Sequence, residues 1–248
     1  AKERGMVAFS TPFDATSVDF LETLEVPCYK IASFENTDQE LIAKVAKTGK
    51  PIILSTGMAS LTEIAEAVEV LERNDCQEYI LLKCTSQYPA DPINANLATL
   101  PHLQQLFNCQ VGISDHTTGI GIAIAATALG ATVIEKHFVI DRSAGGVDAA
   151  FSLEADEFAL LVNETKRTRM AIGNISYGCT KSEISSRKLR RSLYIVKDVS
   201  EGDILTRENV RAIRPGLGLP VKHLKHILGK QVCRSVKRGS PLSWNIIR

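Results

Sequence analysis

The chain has 248 residues, 44% of them hydrophobic, with 29 Lys and Arg against 28 Asp and Glu. So even a balance, with no basic run, leaves no footprint for nucleic acid or a membrane surface, and no apolar run reaches the ~18 residues of a membrane span. The start, AKERGMVAFS, has no signal-peptide core, and six cysteines without a C-x-x-C pair read as free thiols in a reducing cytoplasm.

In chain order, Val7–Phe13 reads as a short strand broken at Pro12, and residues 16–24 as a helix. Strands follow at Cys28–Ser33, Pro51–Gly57 and Tyr79–Thr85, separated by helices over 41–48 and 62–73. The second of these helices carries Leu61, Ile64, Ala65, Val68 and Leu71 along one stripe. A loop over 86–92 leads to a helix near 96–107, and a last helix spans 153–172 and closes at Gly173.

The centre of this half is Val111–Thr118, then GIGIAIAATALG over 119–130, then Thr132–Phe138. Two β-rich runs around a buried helix make a β-α-β unit with parallel strands. His116 and His137 end the two runs, with Ser114 and Glu135 on the same faces two residues earlier. Two imidazoles beside a carboxylate at the carboxyl end of a sheet form a candidate site for Mn²⁺, Zn²⁺ or Fe²⁺. Asp115 and Lys136 have the opposite parity and are expected to form a structural ion pair facing the helices.

Six apolar strand-like segments, each followed by a helix or loop, indicate a parallel sheet covered on both faces. A TIM barrel needs eight such units over ~250 residues, whereas this region ends near residue 173, so either the sheet is open or the chain starts inside a barrel. A sequence that begins almost directly in a strand favours the second. Residues 174–188 are polar and aperiodic and read as a linker. Residues 189–248 read as a small β-rich domain, with short strands that include Val232–Val236 and a helix near 221–228.

The strand ends of the first half carry Thr11, Lys30, Ser33, Ser55, Thr56, Lys83, Thr85, Ser86 and Ser114. Together they are expected to line one rim with hydroxyls and two cations, a surface suited to a phosphate or carboxylate ligand. Tyr88 and Asp148, on following loops, are candidate contacts to a polyol. These residues point to an α/β enzyme with a metal and an anionic substrate, and not to a particular reaction.

FSTPFD, KIASFE, GKPIILSTGMAS, KCTSQYP, GISDHT, EKHF and GGVDAAFSLEADEF, in this order, resemble the strand-end motifs of the sialic acid synthase family. The tail from EGDILTRENVRAIRPGLGLP to KRGSPLSWNII resembles that family's antifreeze-like (SAF) domain. The resemblance implies a TIM (β/α)8 barrel lacking its first two units over 1–173, the linker, and a SAF domain over 189–248. It further implies a metal-dependent condensation of phosphoenolpyruvate with an open-chain N-acylated amino sugar, releasing phosphate by C–O cleavage. KIASFE, KCTS and AFSLE look most like the pseudaminic acid branch, whose sugar is a 2,4-diacetamido-2,4,6-trideoxy hexose. The alternatives are N-acetylneuraminate or legionaminic acid synthesis, or a catalytically inactive fragment.

Carried over by position, His116 and His137 match the metal ligands, for Mn²⁺ or Mg²⁺, with Co²⁺ a further candidate. Lys30, Thr11, Ser33, Ser55 and Ser114 match residues that hold phosphoenolpyruvate, and Ser86 stands where the sialic acid branch has asparagine. Tyr88 and Asp148 match sugar-binding positions, and Glu135 a glutamate beside the metal. Glu135, His116, His137 and Lys30 are thus the expected catalytic set. Arg214 matches an arginine placed over the partner subunit's site, which implies a domain-swapped homodimer in the cytoplasm. Val147 and Ala155 replace prolines expected in the family's loops.

Overall fold

The computed structural model describes residues 1–248, which separate into two compact units, 1–173 and 174–248. The first unit contains β1 (Tyr29–Ile31), β2 (Ile52–Ser55), β3 (Tyr79–Cys84), β4 (Gln110–Asp115) and β5 (Val133–Lys136). They pair in sequence order, every neighbour parallel. The helices are α1 (Ala15–Thr23), α2 (Gln39–Ala46), α3 (Leu61–Arg73), α4 (Thr99–Phe107), α5 (Gly121–Ala128) and α6 (Ala155–Ile172).

Strand alternation divides the sheet into two faces with different tasks. One parity, including Ile31, Leu54, Leu81 and Ile113, is buried and packs on Ile42 and Val45 of α2, Leu71 of α3 and Leu100 of α4. Each such side chain contributes roughly 1.5–3 kcal/mol on leaving water, so this face holds the helices to the sheet. The other parity carries Lys30 and Ser55, and places Cys84 beside Ser114 and Ser114 beside Glu135 in register. Helix starts are fixed locally: Asp14 and Asp38 cap α1 and α2, and Ser60 with Glu63 closes a capping box on α3.

Val7–Phe13, expected as a strand, is not one. Its backbone tie to β1 is a long bond from Lys30 N–H to Ser10 O at 3.5 Å, and Val7, Phe9 and Phe13 are exposed. An apolar run becomes a strand only where a neighbour completes the ladder, and three-residue β1 offers too short an edge. The sheet therefore has five strands rather than six. At the other edge, β5 is extended by a parallel bridge between Phe138 and Leu153.

In the second unit β6 (Ser192–Ile195) pairs antiparallel with β7 (Val210–Ile213) over a core of Leu193, Ile195, Leu205, Val210, Ile227 and Leu242. Within the expected linker, α7 (Ile184–Arg187) follows a helical turn capped by Thr180 and Glu183. The helix expected near 221–228 is a 3-10 turn, Val221–His223, running into α8 (Leu224–Ile227). Val232–Val236 is not a strand: Val232 and Val236 each make a single bridge, to Ile247 and Val199, with exposed residues between. Charge divides sharply between the units, with 13 Lys and Arg against 23 Asp and Glu in the first and 16 against 5 in the second. No helix is long and apolar enough to cross a membrane.

Candidate active site

Lys30 is only 6% exposed and points across the inward face of the sheet. Its ammonium donates to Ser55 Oγ and to the Ile31 carbonyl, each at 2.8 Å, and lies 3.7 Å from Glu135 Oε2. Burial holds this lysine below its ordinary pKa, and the charge of Glu135 pulls the other way. Ser33 accepts from the Gly57 amide at 3.0 Å. A Cβ at Gly57 would run into Ser33 Oγ and Ser86 Oγ, so glycine lets the β2 turn close against both hydroxyls.

At the other side of the sheet Ser114 Oγ donates to Glu135 Oε1 at 2.5 Å. The strands stop at Asp115 and Lys136, one residue before each histidine. Each histidine is then gripped through its carbonyl, which accepts from Ala90 N–H at 3.0 Å for His116 and from Leu153 N–H at 2.9 Å for His137. The two ring centroids are 5.2 Å apart. Tyr88 lies tilted at 4.3 Å from His116, Phe151 lies 4.9 Å from His137, and Asp148 Oδ2 is 3.8 Å from His137 Nδ1. Asp148 adopts a left-handed backbone, φ 66°. A void of about 10 Å³ among Lys83, Ile113, Asp115, Thr117 and Ile122, toward the helix side of β3 and β4, has room for one water at most.

His116 Nδ1 is 3.0 Å from the Thr85 carbonyl. A carbonyl only accepts, so Nδ1 carries the proton and Nε2 presents a lone pair. Burial disfavours the charged ring of His116, but bonds to Cys84 Sγ and the Thr85 carbonyl outweigh it and raise the pKa. His137 is lowered by burial and by the neighbouring His116. Cys84 would be raised by burial, yet hydrogen bonds from His116 and Ser33 bring it to about 7.

Two converging imidazoles, one with its tautomer fixed by a carbonyl, suit a divalent metal ion, but no group of three His, Cys, Asp or Glu surrounds one point. The residues fit a metal held by two protein nitrogens, with oxygens of water or substrate completing its shell.

The ion pair expected from parity is present: Lys136 Nζ lies 2.9 Å from Asp115 Oδ2, both side chains essentially fully buried. Lys83 is corrected. It lies in register with Ile113, on the helix-facing parity, and donates to the Cys84 carbonyl and Thr85 Oγ1, so the rim has one cation rather than two. Thr11 follows Ser10, the residue tied to β1. Arg214 is exposed after β7 in the second unit. Four features were missed in the sequence: Gly57, Cys84, Phe151 and Glu35. Glu35 Oε2 is buried without a hydrogen-bond partner, and burial pushes its carboxyl up. The signal for Cys84 was available, because it shares parity with Ser114 and Ser86.

Residues 1–177 match the NeuB family and residues 190–248 the SAF domain. The chain is 40% identical to a pseudaminic acid synthase from Helicobacter pylori over 98% of its own length and 72% of the relative's. It is 41% identical to an N,N'-diacetyllegionaminic acid synthase from Campylobacter jejuni, over 96% of this chain and 72% of that protein. Among solved structures, the N-acetylneuraminic acid synthetase of Leptospira borgpetersenii, in complex with citrate, is 37% identical with a TM-score of 0.70, covering 75% of this chain and 65% of that one. The chain thus spans about two thirds to three quarters of the proteins it matches. Their motifs, their order and the curled parallel sheet lead to one conclusion: this chain belongs to the NeuB family of sugar-acid synthases and carries a SAF domain at its C-terminal end.

Proposed function

We propose that the chain condenses phosphoenolpyruvate with an open-chain 2,4-diacetamido-2,4,6-trideoxy hexose and water, giving pseudaminic acid and inorganic phosphate. The observation that carries this reading is one buried cation, Lys30, held by Ser55 and facing Glu135 beneath two imidazoles. Lys30 with Ser33, Ser55, Ser86, Ser114 and Thr11 would hold the phosphate and carboxylate of phosphoenolpyruvate and fix a near-attack geometry. The methylene carbon of phosphoenolpyruvate would add to the sugar's aldehyde carbon, whose C=O π pair moves to the oxygen and takes up a proton. Water adds at the enol-phosphate carbon C2, and Glu135, oriented by Ser114, accepts the proton that water gives up. The adduct then loses phosphate by C–O cleavage. Tyr88 and Asp148 would hold the sugar. His116 and His137 would hold Mn²⁺ or Mg²⁺, which when bound supplies Lewis-acid polarisation of a carbonyl oxygen. Arg214 would reach the sugar's N-acetyl group in a partner subunit of a homodimer. The reaction would run in the cytoplasm, where phosphoenolpyruvate is formed.

The second reading is N,N'-diacetyllegionaminic acid synthesis, favoured by the 41% identity to the Campylobacter jejuni relative. The chemistry is unchanged and the sugar differs. Phosphate release from phosphoenolpyruvate with Mn²⁺ is measured for this chain, with the Helicobacter relative as control, offering the trideoxy diacetamido sugar, the legionaminic precursor and N-acetylmannosamine separately. Release with the first sugar alone supports the proposal, and release with another moves the assignment to that branch. Silence with all three beside an active control overturns it.

A further inference from the structure

We infer that Asp115, Thr117 and Lys136 act as a positioning clamp that sets the separation of His116 and His137. The β4–β5 ladder ends at the pair Asp115–Lys136. Beyond it the backbone no longer fixes one strand against the other, and that is where both histidines stand. The clamp supplies the missing tie. Asp115 Oδ1 accepts from the Thr117 amide at 2.9 Å and from Thr117 Oγ1 at 2.7 Å, while Oδ2 accepts from Lys136 Nζ at 2.9 Å. Lys136 also donates to the Thr117 carbonyl. His116 lies between two clamp residues in the chain, and His137 directly follows the third.

Stability does not account for the clamp. Two charges taken fully out of water cost about as much as their attraction returns, and a well-packed apolar pair of similar volume is often as stable or more so. An apolar pair would fill the same space, but it could not tie the Thr117 backbone to β5. A closed polar ring has one geometry, and it gives the imidazoles one spacing. The inference deepens the functional reading above and rests on it only where the metal is concerned.

The test is the paired substitution Asp115→Leu with Lys136→Met in the full chain, with Thr117→Val as a milder variant that removes a single hydroxyl. Three quantities are read: thermal midpoint, the ring-proton resonances of His116 and His137 by NMR with labelled histidine, and their broadening on titration with Mn²⁺. Retained thermal stability is expected together with shifted ring resonances, and Mn²⁺ affinity weaker by about tenfold, the scale of residues that orient metal ligands through others. Thr117→Val should fall between. Should the paired variant not fold, shifted resonances in Thr117→Val support the clamp and unshifted ones overturn it. Unmoved ring resonances in a folded variant with unchanged Mn²⁺ affinity would overturn the inference. Moved resonances in a protein whose parent shows no Mn²⁺ broadening would uphold the clamp and sink the metal reading.

Discussion

Lys30 and Glu135 stand on opposite edge strands of a five-stranded sheet, yet their charges approach to 3.7 Å. In a flat sheet four strand spacings of about 4.8 Å would separate β1 from β5 by roughly 19 Å, further than the two side chains can span. The sheet is curled, and the curl brings the cation of one edge to the carboxylate of the other. Lys30→Met should therefore lower kcat/KM for phosphoenolpyruvate by about 100-fold or more, the scale of one lost charge-stabilising donor. Steady-state phosphate release checks it, with an unchanged circular dichroism spectrum as the control for folding.

Gly57→Ala separates space from chemistry. The added methyl meets Ser33 Oγ and Ser86 Oγ, so the two hydroxyls must part or the β2 turn must shift. Overpacking of this kind costs about 1–3 kcal/mol. Phosphoenolpyruvate affinity should weaken more than in Gly121→Ala, an exposed position with open space around it, measured by calorimetry on both variants.

On the helix face, Leu81 is fully buried at the centre of the sheet. Leu81→Ala should destabilise the first unit by about 2–5 kcal/mol, read from urea unfolding followed by far-ultraviolet circular dichroism.

Glu22 gives a pH dependence with a definite sign. Hydrogen bonds from Lys50 and Tyr29 hold its carboxyl below the ordinary value of 4.5. A lowered folded pKa means that the ionised form stabilises the fold above pH 4.5, and that this contribution disappears as pH falls through the lower folded value. Glu22→Gln should thus lower the thermal midpoint near neutral pH, and the gap to the parent should narrow on acidification. A gap that stays constant down to pH 3 would exclude the linkage.

Much of this was legible in the chain because the signals are local. Cap residues, stripes of Leu and Val, and the glycine closures place most helices within two or three residues, and period-two parity brings Ser114 to Glu135 and Asp115 to Lys136. What failed depends on neighbours. Val7–Phe13 has the composition of a strand and lacks the ladder that would make it one. Lys83 reads as a rim lysine until register places it opposite Ile113. Glu35 looks like an ordinary surface glutamate in a helical turn, and only the fold shows its oxygen buried and unpartnered. The Lys30–Glu135 approach is invisible in sequence because it follows from curvature, which no single segment encodes.

The isoelectric point of about 7.8 averages two very different bodies. Cut between residues 174 and 188, the chain would yield one fragment retained by an anion exchanger and another retained by a cation exchanger. Whatever attraction exists between such surfaces, within one chain or between copies, is long-ranged at low salt and is screened within about 8 Å at physiological ionic strength. A net charge near zero thus hides two bodies that respond oppositely to charged matrices and ions.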